Sequence, residues 1–100
     1  MLVHSVYFWF KSDADPARVA RFQEGLQRLC AIPEAQSASF GRPAATSKRP
    51  VIDDSYAWAL ILQFADIAAH DRYQDHPVHQ QFVEDFKPTW EKVTVYDTWI

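Results

Sequence analysis

Two stretches of this chain alternate with period two and are apolar on both phases, and that pattern restricts its folds more than any other feature. From Leu2 to Phe10, the residues Leu2, His4, Val6, Phe8 and Phe10 fall on one side, and Val3, Ser5, Tyr7 and Trp9 on the other. From Tyr56 to Phe64, the residues Tyr56, Trp58, Leu60, Leu62 and Phe64 alternate with Ala57, Ala59, Ile61 and Gln63. Both read as strands of a sheet whose two faces need cover. Helices packed on one face leave the other wet, and each ~100 Å² of apolar surface left in water forgoes about 2.5 kcal/mol. A few such areas equal a small domain's whole stability of roughly 5–15 kcal/mol. With 15% of its residues aromatic, the chain carries more large flat side chains than one small core is expected to hide. A second copy laid over the open face is the simplest remedy, two sheets pairing about a two-fold axis into a barrel. The sequence therefore predicts a homodimer.

At 100 residues, with 48% hydrophobic and 23% charged residues, the composition is that of one folded domain spanning 1–100. Ten basic against 13 acidic residues give a net charge of −3, which offers no footprint for a phosphate backbone, so nucleic acid is excluded as a partner. Cys30 is the single cysteine, too few for an internal disulfide or a cysteine-based zinc site. No basic residue precedes the first apolar run, the reverse of a signal peptide, and a cytoplasmic location is expected. The strongly apolar stretch Tyr56 to Phe64 is shorter than the ~20 residues a membrane-spanning helix requires, so no membrane association is expected.

Asp15 followed by Pro16 is a helix start, Asp as N-cap and Pro in the first turn. One amphipathic helix is predicted from Pro16 to Ala31, with Val19, Phe22, Leu26, Leu29 and Cys30 inward. Gly25 within it costs up to ~1 kcal/mol relative to Ala, so it is either tolerated or required by close packing. Cys30 lies on the apolar stripe and reads as an inert packing residue. Pro33 stops the helix, and Gln36 to Phe40 forms a short peripheral strand ending at Gly41. Arg42 to Ser55 is a long polar loop, in which Asp53 and Asp54 read as solvated. After the strand Tyr56–Phe64, Asp66 caps a helix to about Tyr73. His76-Pro77 restarts helical structure carrying Val78, Phe82, Val83 and Phe86 inward, and Pro88 ends it. Glu91 to Ile100 is a closing strand, with Val93, Val95, Asp97 and Trp99 on one face. The order strand, helix, strand, strand, helices, strand is that of a ferredoxin-like βαββαβ domain of class α+β, with a mostly antiparallel four-stranded sheet and helices on one face.

The densest polar grouping is His70-Asp71-Arg72-Tyr73-Gln74-Asp75-His76-Pro77-Val78-His79, which holds three of the four histidines. Histidine titrates near neutrality and is the natural proton carrier. On one regular helix Tyr73 and His79 would point apart; a break at Pro77 lets them converge on a cavity. There Tyr73 could donate to a carbonyl oxygen while His79 removes a proton beside it. The plainer alternative is that His76 caps a helix and His79 is a hydrogen-bonded packing residue. His4 shares its strand face with Leu2, Val6 and Phe8 and can reach the same interior, as a site residue or a core one. The His76-x-x-His79 spacing suits zinc, but no third ligand is evident, so no metal is expected. With Gly25 and Gly41 the only glycines, there is no phosphate loop and no nucleophile elbow, and no cofactor is expected.

Several of these residues together resemble the stress-responsive dimeric α/β-barrel, or Dabb, family. They are His4 with Val6 and Phe8 in an opening strand, Gly41 ending the second strand, Leu62-Gln63-Phe64-Ala65-Asp66, the segment Tyr73 to His79, and Trp90 leading to Asp97. Tyr-x-x-His-Pro-x-His is the most specific part. The resemblance covers nearly the whole chain and implies a ferredoxin-like fold dimerising through its sheets into an α/β barrel. Many bacterial members have no established activity. Plant polyketide cyclases of the olivetolic acid type carry a similar segment, with catalysis assigned to the residues matching Tyr73 and His79. Their pocket implies a substrate-binding lining here of His4, Val6, Phe8, Trp58, His76, Trp90, Val93 and Val95. Trp58 and Leu60 are bulkier than the valines of an open pocket, and the Arg42 to Ser55 loop is longer. Three functions follow as expectations. The first is acid–base chemistry on a small apolar or aromatic molecule, the second a non-catalytic stress or assembly module, and the third a cofactor-independent monooxygenase-like protein.

Overall fold

The computed structural model describes every residue from Met1 to Ile100. In chain order the elements are β1 (Leu2–Phe10), α1 (Pro16–Ala20), α2 (Phe22–Cys30), β2 (Ser37–Gly41), β3 (Trp58–Phe64), α3 (Ile67–Asp75), α4 (Pro77–Phe86), a 3₁₀ turn (Lys87–Thr89) and β4 (Trp90–Trp99). The strands form one sheet in the order β2-β3-β1-β4, each neighbouring pair antiparallel. This is the ferredoxin-like arrangement predicted from the order of elements. The alternation along β1 decides which way the sheet faces: Leu2, His4, Val6 and Phe8 are buried under the helices, and the residues between them are half-buried.

The core is strongly aromatic. Phe22, fully buried, meets Phe8 and Phe10 edge to face at centroid distances of 5.0 Å, and Phe86 at 5.1 Å. Such edge-to-face pairs add roughly 0.5–1.5 kcal/mol each beyond their buried area. Gly25 belongs to this packing, because a Cβ there would stand 2.5 Å from Phe86 Cε2. Close approach of α2 to α4 is thus the reason for the glycine.

β2 and α3 shift by a residue or two from expectation, and three larger differences have physical reasons. The helix predicted from Pro16 to Ala31 divides at Arg21, whose N–H donates to Arg18 O at 3.0 Å, a three-residue step in place of the four-residue α-helical one. α1 buries none of its residues, whereas Phe22, Gly25, Leu26 and Leu29 of α2 are buried, so only the second segment is drawn onto the sheet. β3 begins at Trp58 instead of Tyr56. The Tyr56 ring turns to the opposite side and packs edge to face on Tyr7 at 4.9 Å and Trp9 at 6.3 Å. β4 begins at Trp90, and its register against β1 shifts between Trp9 and Phe10, where Phe10 pairs with Trp90. That irregularity skips Glu91 and turns Trp90 to the helix side, against Phe8 at 5.5 Å.

The face away from the helices carries Tyr7, Trp9, Tyr56 and Tyr96, the last 62% exposed. A depression of about 270 Å³ lies there between these four side chains, Asp53, Lys92 and Thr94. The loop from 42 to 57 is fastened to this face: Trp9 Nε1 donates to Ser55 Oγ at 2.9 Å, and Ser55 Oγ to Asp53 Oδ1 at 2.5 Å.

Candidate functional site

The site is assembled by strand register and one helix break. Residues directly opposite in adjacent strands share a face. His4 on β1 stands opposite Asp97 on β4, Val6 opposite Val95, and Phe8 opposite Val93. Above this strip, Asp66 caps α3 by accepting the Ala69 N–H at 2.8 Å. The residue before a proline is pushed out of helical conformation, and His76 is accordingly extended, with φ −63° and ψ 138°. Its Nδ1 accepts the Val78 N–H at 3.1 Å, so the His76 ring serves as the N-cap of α4. The chain turns there, and Tyr73 from the end of α3 meets His79 from the start of α4 edge to face, ring centroids 4.9 Å apart.

Between sheet and helices lies an apolar cavity of about 170 Å³. His4, Val6, Phe8, Tyr73, His79, Trp90, Val93 and Val95 of the predicted site line it, together with Leu29, Leu60, Gln74, Phe82 and Val83. Two predicted residues do not. Trp58 lies outside the lining, its ring 5.9 Å from Phe40 and covered by the Arg42 guanidinium at 4.1 Å. His76 is outside because its ring is committed to the cap. Sequence reasoning also passed over Gln74, Leu29, Phe82 and Val83 as lining; Leu29, Phe82 and Val83 were read as inward-facing core residues, and nothing in the chain separates a core residue from a cavity wall.

The cavity is small. Ligand pockets commonly begin near ~300 Å³, yet an apolar cavity of about 150 Å³ accepts a benzene-sized guest. Burial holds the His79 pKa below the usual histidine value, with help from His4 and His70 nearby. Its imidazole is therefore a free base at neutral pH. Burial also pushes the Tyr73 phenol well above its ordinary range, keeping it a proton-bearing donor. The His4 pKa is lowered, chiefly by burial and against the pull of Asp97. His4 Nδ1 and Asp97 Oδ1 lie 2.5 Å apart. Trp90 Nε1–H is buried and finds no acceptor in the chain.

His70, which was noted only as part of the histidine-rich segment, joins this group. Its ring stands edge to face with His4 at 4.9 Å, and ligating atoms of His4, His70 and Asp97 all lie within 4.8 Å of one another. Asp97 was legible as a face-mate of Val93 and Val95, but its partner depended on which strand β4 would join.

An antiparallel sheet in this order, helices on one side and a small apolar cavity between them, defines a ferredoxin-like α+β protein. The chain belongs to the Dabb family, the stress responsive A/B barrel domain, whose model matches residues 2–100. A Dabb family protein with a ferredoxin-like fold from Mesorhizobium loti is 32% identical, with a TM-score of 0.76 over 99% of this chain and 95% of that one. A dimeric ferredoxin-like protein of unknown function from Thermobifida fusca superposes with a TM-score of 0.78 at 21% identity, over 99% of this chain and 90% of that one. A hydroxynitrile lyase from Passiflora edulis gives 0.75 at 22% identity, covering 99% and 92%. No curated protein sequence matches this one. No helix is long and apolar enough to cross a membrane.

Proposed function

We propose that this chain binds a small aromatic or apolar carbonyl compound in the cavity and moves a proton next to its carbonyl group. His79 acts as the base and Tyr73 as the donor to the oxygen. The observation that carries this reading is the meeting of the His79 imidazole and the Tyr73 phenol, ring centroids 4.9 Å apart, on one apolar cavity. General acid–base assistance of this kind contributes roughly 10²–10⁴-fold. The cavity volume of about 170 Å³ limits the ligand to little more than one ring, smaller than a folded polyketide. Trp90 supports the choice of an oxygen-bearing ligand, since a buried donor without an acceptor costs about 1–3 kcal/mol until one arrives. The lyase from Passiflora edulis supports the reading only in that the same fold carries an enzyme.

The working unit in this proposal is a homodimer joined through the open sheet face, supported by the aromatic surface there and by dimeric proteins of the same fold. A cytoplasmic setting accords with the lone, half-buried Cys30. The small cavity favours one competing reading, a non-catalytic module in which the same histidines only pack. Titration of acetophenone against labelled protein, followed by NMR, separates them. The acid–base reading expects saturable shifts of the Trp90 indole N–H and the His79 ring. No shift at either up to the solubility of the ketone supports the packing role.

A further inference from the structure

The chain brings two imidazoles and a carboxylate together from three different elements, and this arrangement is separate from the Tyr73–His79 pair. His4 is on β1, His70 in the middle of α3 and Asp97 on β4, and their ligating atoms fall within 4.8 Å of one another. We propose that His4, His70 and Asp97 bind one divalent transition ion of the zinc class per chain. His4 also borders the cavity, but His70 and Asp97 do not line it, and the inference rests on these three residues alone.

The donor set fits that class of ion. Two imidazoles and one carboxylate recur at zinc sites whose fourth position is left to water, and imidazole disfavours hard cations such as magnesium. Zinc ligands stand about 2.0–2.2 Å from the metal, hence about 3.3 Å from one another. His4 and Asp97 are already closer than that, at 2.5 Å, and the ion would take the place of the proton in the hydrogen bond between them. His70 has only to swing toward them, and it is half-buried on a helix that Asp66 caps.

The surroundings also resemble those of a metal-bound histidine, which usually donates its second N–H to a carboxylate. His70 Nδ1 lies 3.1 Å from Asp71 Oδ1, so Nε2 keeps its lone pair for the ion; the Gln74 amide that now sits 3.5 Å from it would turn away. The Phe64 ring packs edge to face against both histidines, at 6.2 Å from His4 and 5.5 Å from His70. It screens the site on one side. The Asp97 side chain, 46% exposed, leaves an entry path from solvent.

Isothermal titration of zinc chloride into the full chain, with magnesium chloride in parallel, tests the site. The expected result is one zinc ion per chain and no saturable magnesium binding. His70→Ala and Asp97→Asn should each weaken zinc at least tenfold, whereas His76→Asn, which keeps a capping side chain, should leave it unchanged. Melting curves without metal establish that each variant is folded. If Asp97→Asn melts early, His70→Ala decides the matter alone, because its position is half-buried. No saturable zinc binding overturns the proposal. So does binding that survives both His70→Ala and Asp97→Asn, or that His76→Asn abolishes, or that magnesium matches.

Discussion

Tyr73 and His79 stand on either side of the His76–Pro77 break, and their rings meet edge to face with centroids 4.9 Å apart and planes inclined at 72°. On an unbroken helix six residues would set them about 120° apart around the axis and roughly 9 Å apart along it. The proline, by forcing His76 into an extended conformation, is what lets the two side chains face one cavity.

The roles of the two differ, and so should their variants. His79→Asn is expected to lower proton-transfer activity by about 10²–10⁴-fold. Tyr73→Phe keeps the ring against Phe64 and His79 and removes only the donor, which is expected to cost about 10²–10³-fold. Both should melt within a few degrees of the parent by circular dichroism. A collapse in melting temperature with either one would show that the side chain holds the fold.

Trp90→Phe takes away the buried N–H that has no partner in the chain. A neutral hydrogen bond contributes about 0.5–1.5 kcal/mol, so affinity for an aryl ketone should fall roughly two- to tenfold. The same variant should bind benzene, which has no oxygen, as well as the parent does. Equal losses for both ligands would mean that the indole contributes shape alone.

Stability should depend on pH in a defined direction. Burial lowers the folded-state pKa of both His4 and His79 below 6.5. The unfolded chain therefore binds more protons in that range, and stability falls as the pH falls. It is fully present about a unit above the free value of 6.5 and declines from there down through the lowered folded values. The melting temperature should drop between about pH 7.5 and 5, and His79→Asn should drop less steeply. A flat profile in the parent would contradict the burial of these rings.

Gly25→Ala reads the contact between α2 and α4. In an unconstrained helix the change stabilises by up to ~1 kcal/mol, but here the new Cβ meets Phe86 Cε2 at 2.5 Å. Overpacking of this kind costs about 1–3 kcal/mol, which in a domain this size lowers the melting temperature by roughly 4 °C or more. Adding Phe86→Leu should recover part of the loss relative to Phe86→Leu alone. A rise in melting temperature for the single variant would refute the close approach.

The open sheet face supplies a further test. Sedimentation should give about twice the 11.6 kDa chain mass at micromolar concentration. Tyr96→Glu, placing a charge among Tyr7, Tyr56 and Trp9, should shift the protein to monomers without unfolding it. An unchanged mass for that variant would move the interface elsewhere.

Most of the fold was legible because period-two and helical patterns follow directly from which face is buried. The strands read at Leu2–Phe10 and Tyr56–Phe64 declared themselves in this way, the second starting two residues later in the structure, and Pro77 and Asp66 marked their helices. The break at Arg21 was not legible, since Val19 continues the apolar spacing and only packing shows that α1 buries nothing. The turn of Trp90 onto the core was hidden as well: simple alternation puts it in phase with Lys92 and Thr94, and the register shift past Glu91 reverses it. At the site, the proline made the meeting of Tyr73 and His79 foreseeable. The neighbourhood of His4, His70 and Asp97 was not, because it depends on β4 pairing with β1 and on α3 lying over that edge. Trp58 was assigned to the cavity by the family resemblance; it stands opposite Phe8, but Phe40 and Arg42 claim its ring.

The central claim is that His79 takes a proton from a carbon beside a carbonyl while Tyr73 supports the oxygen. Solvent deuterium exchange into the methyl group of acetophenone, followed by proton NMR near neutral pH, measures that step without requiring the natural substrate. The parent protein should accelerate exchange, and His79→Asn should reduce the protein-dependent rate at least a hundredfold while still binding the ketone. Bound ketone that exchanges no faster with the parent than with His79→Asn would contradict the account.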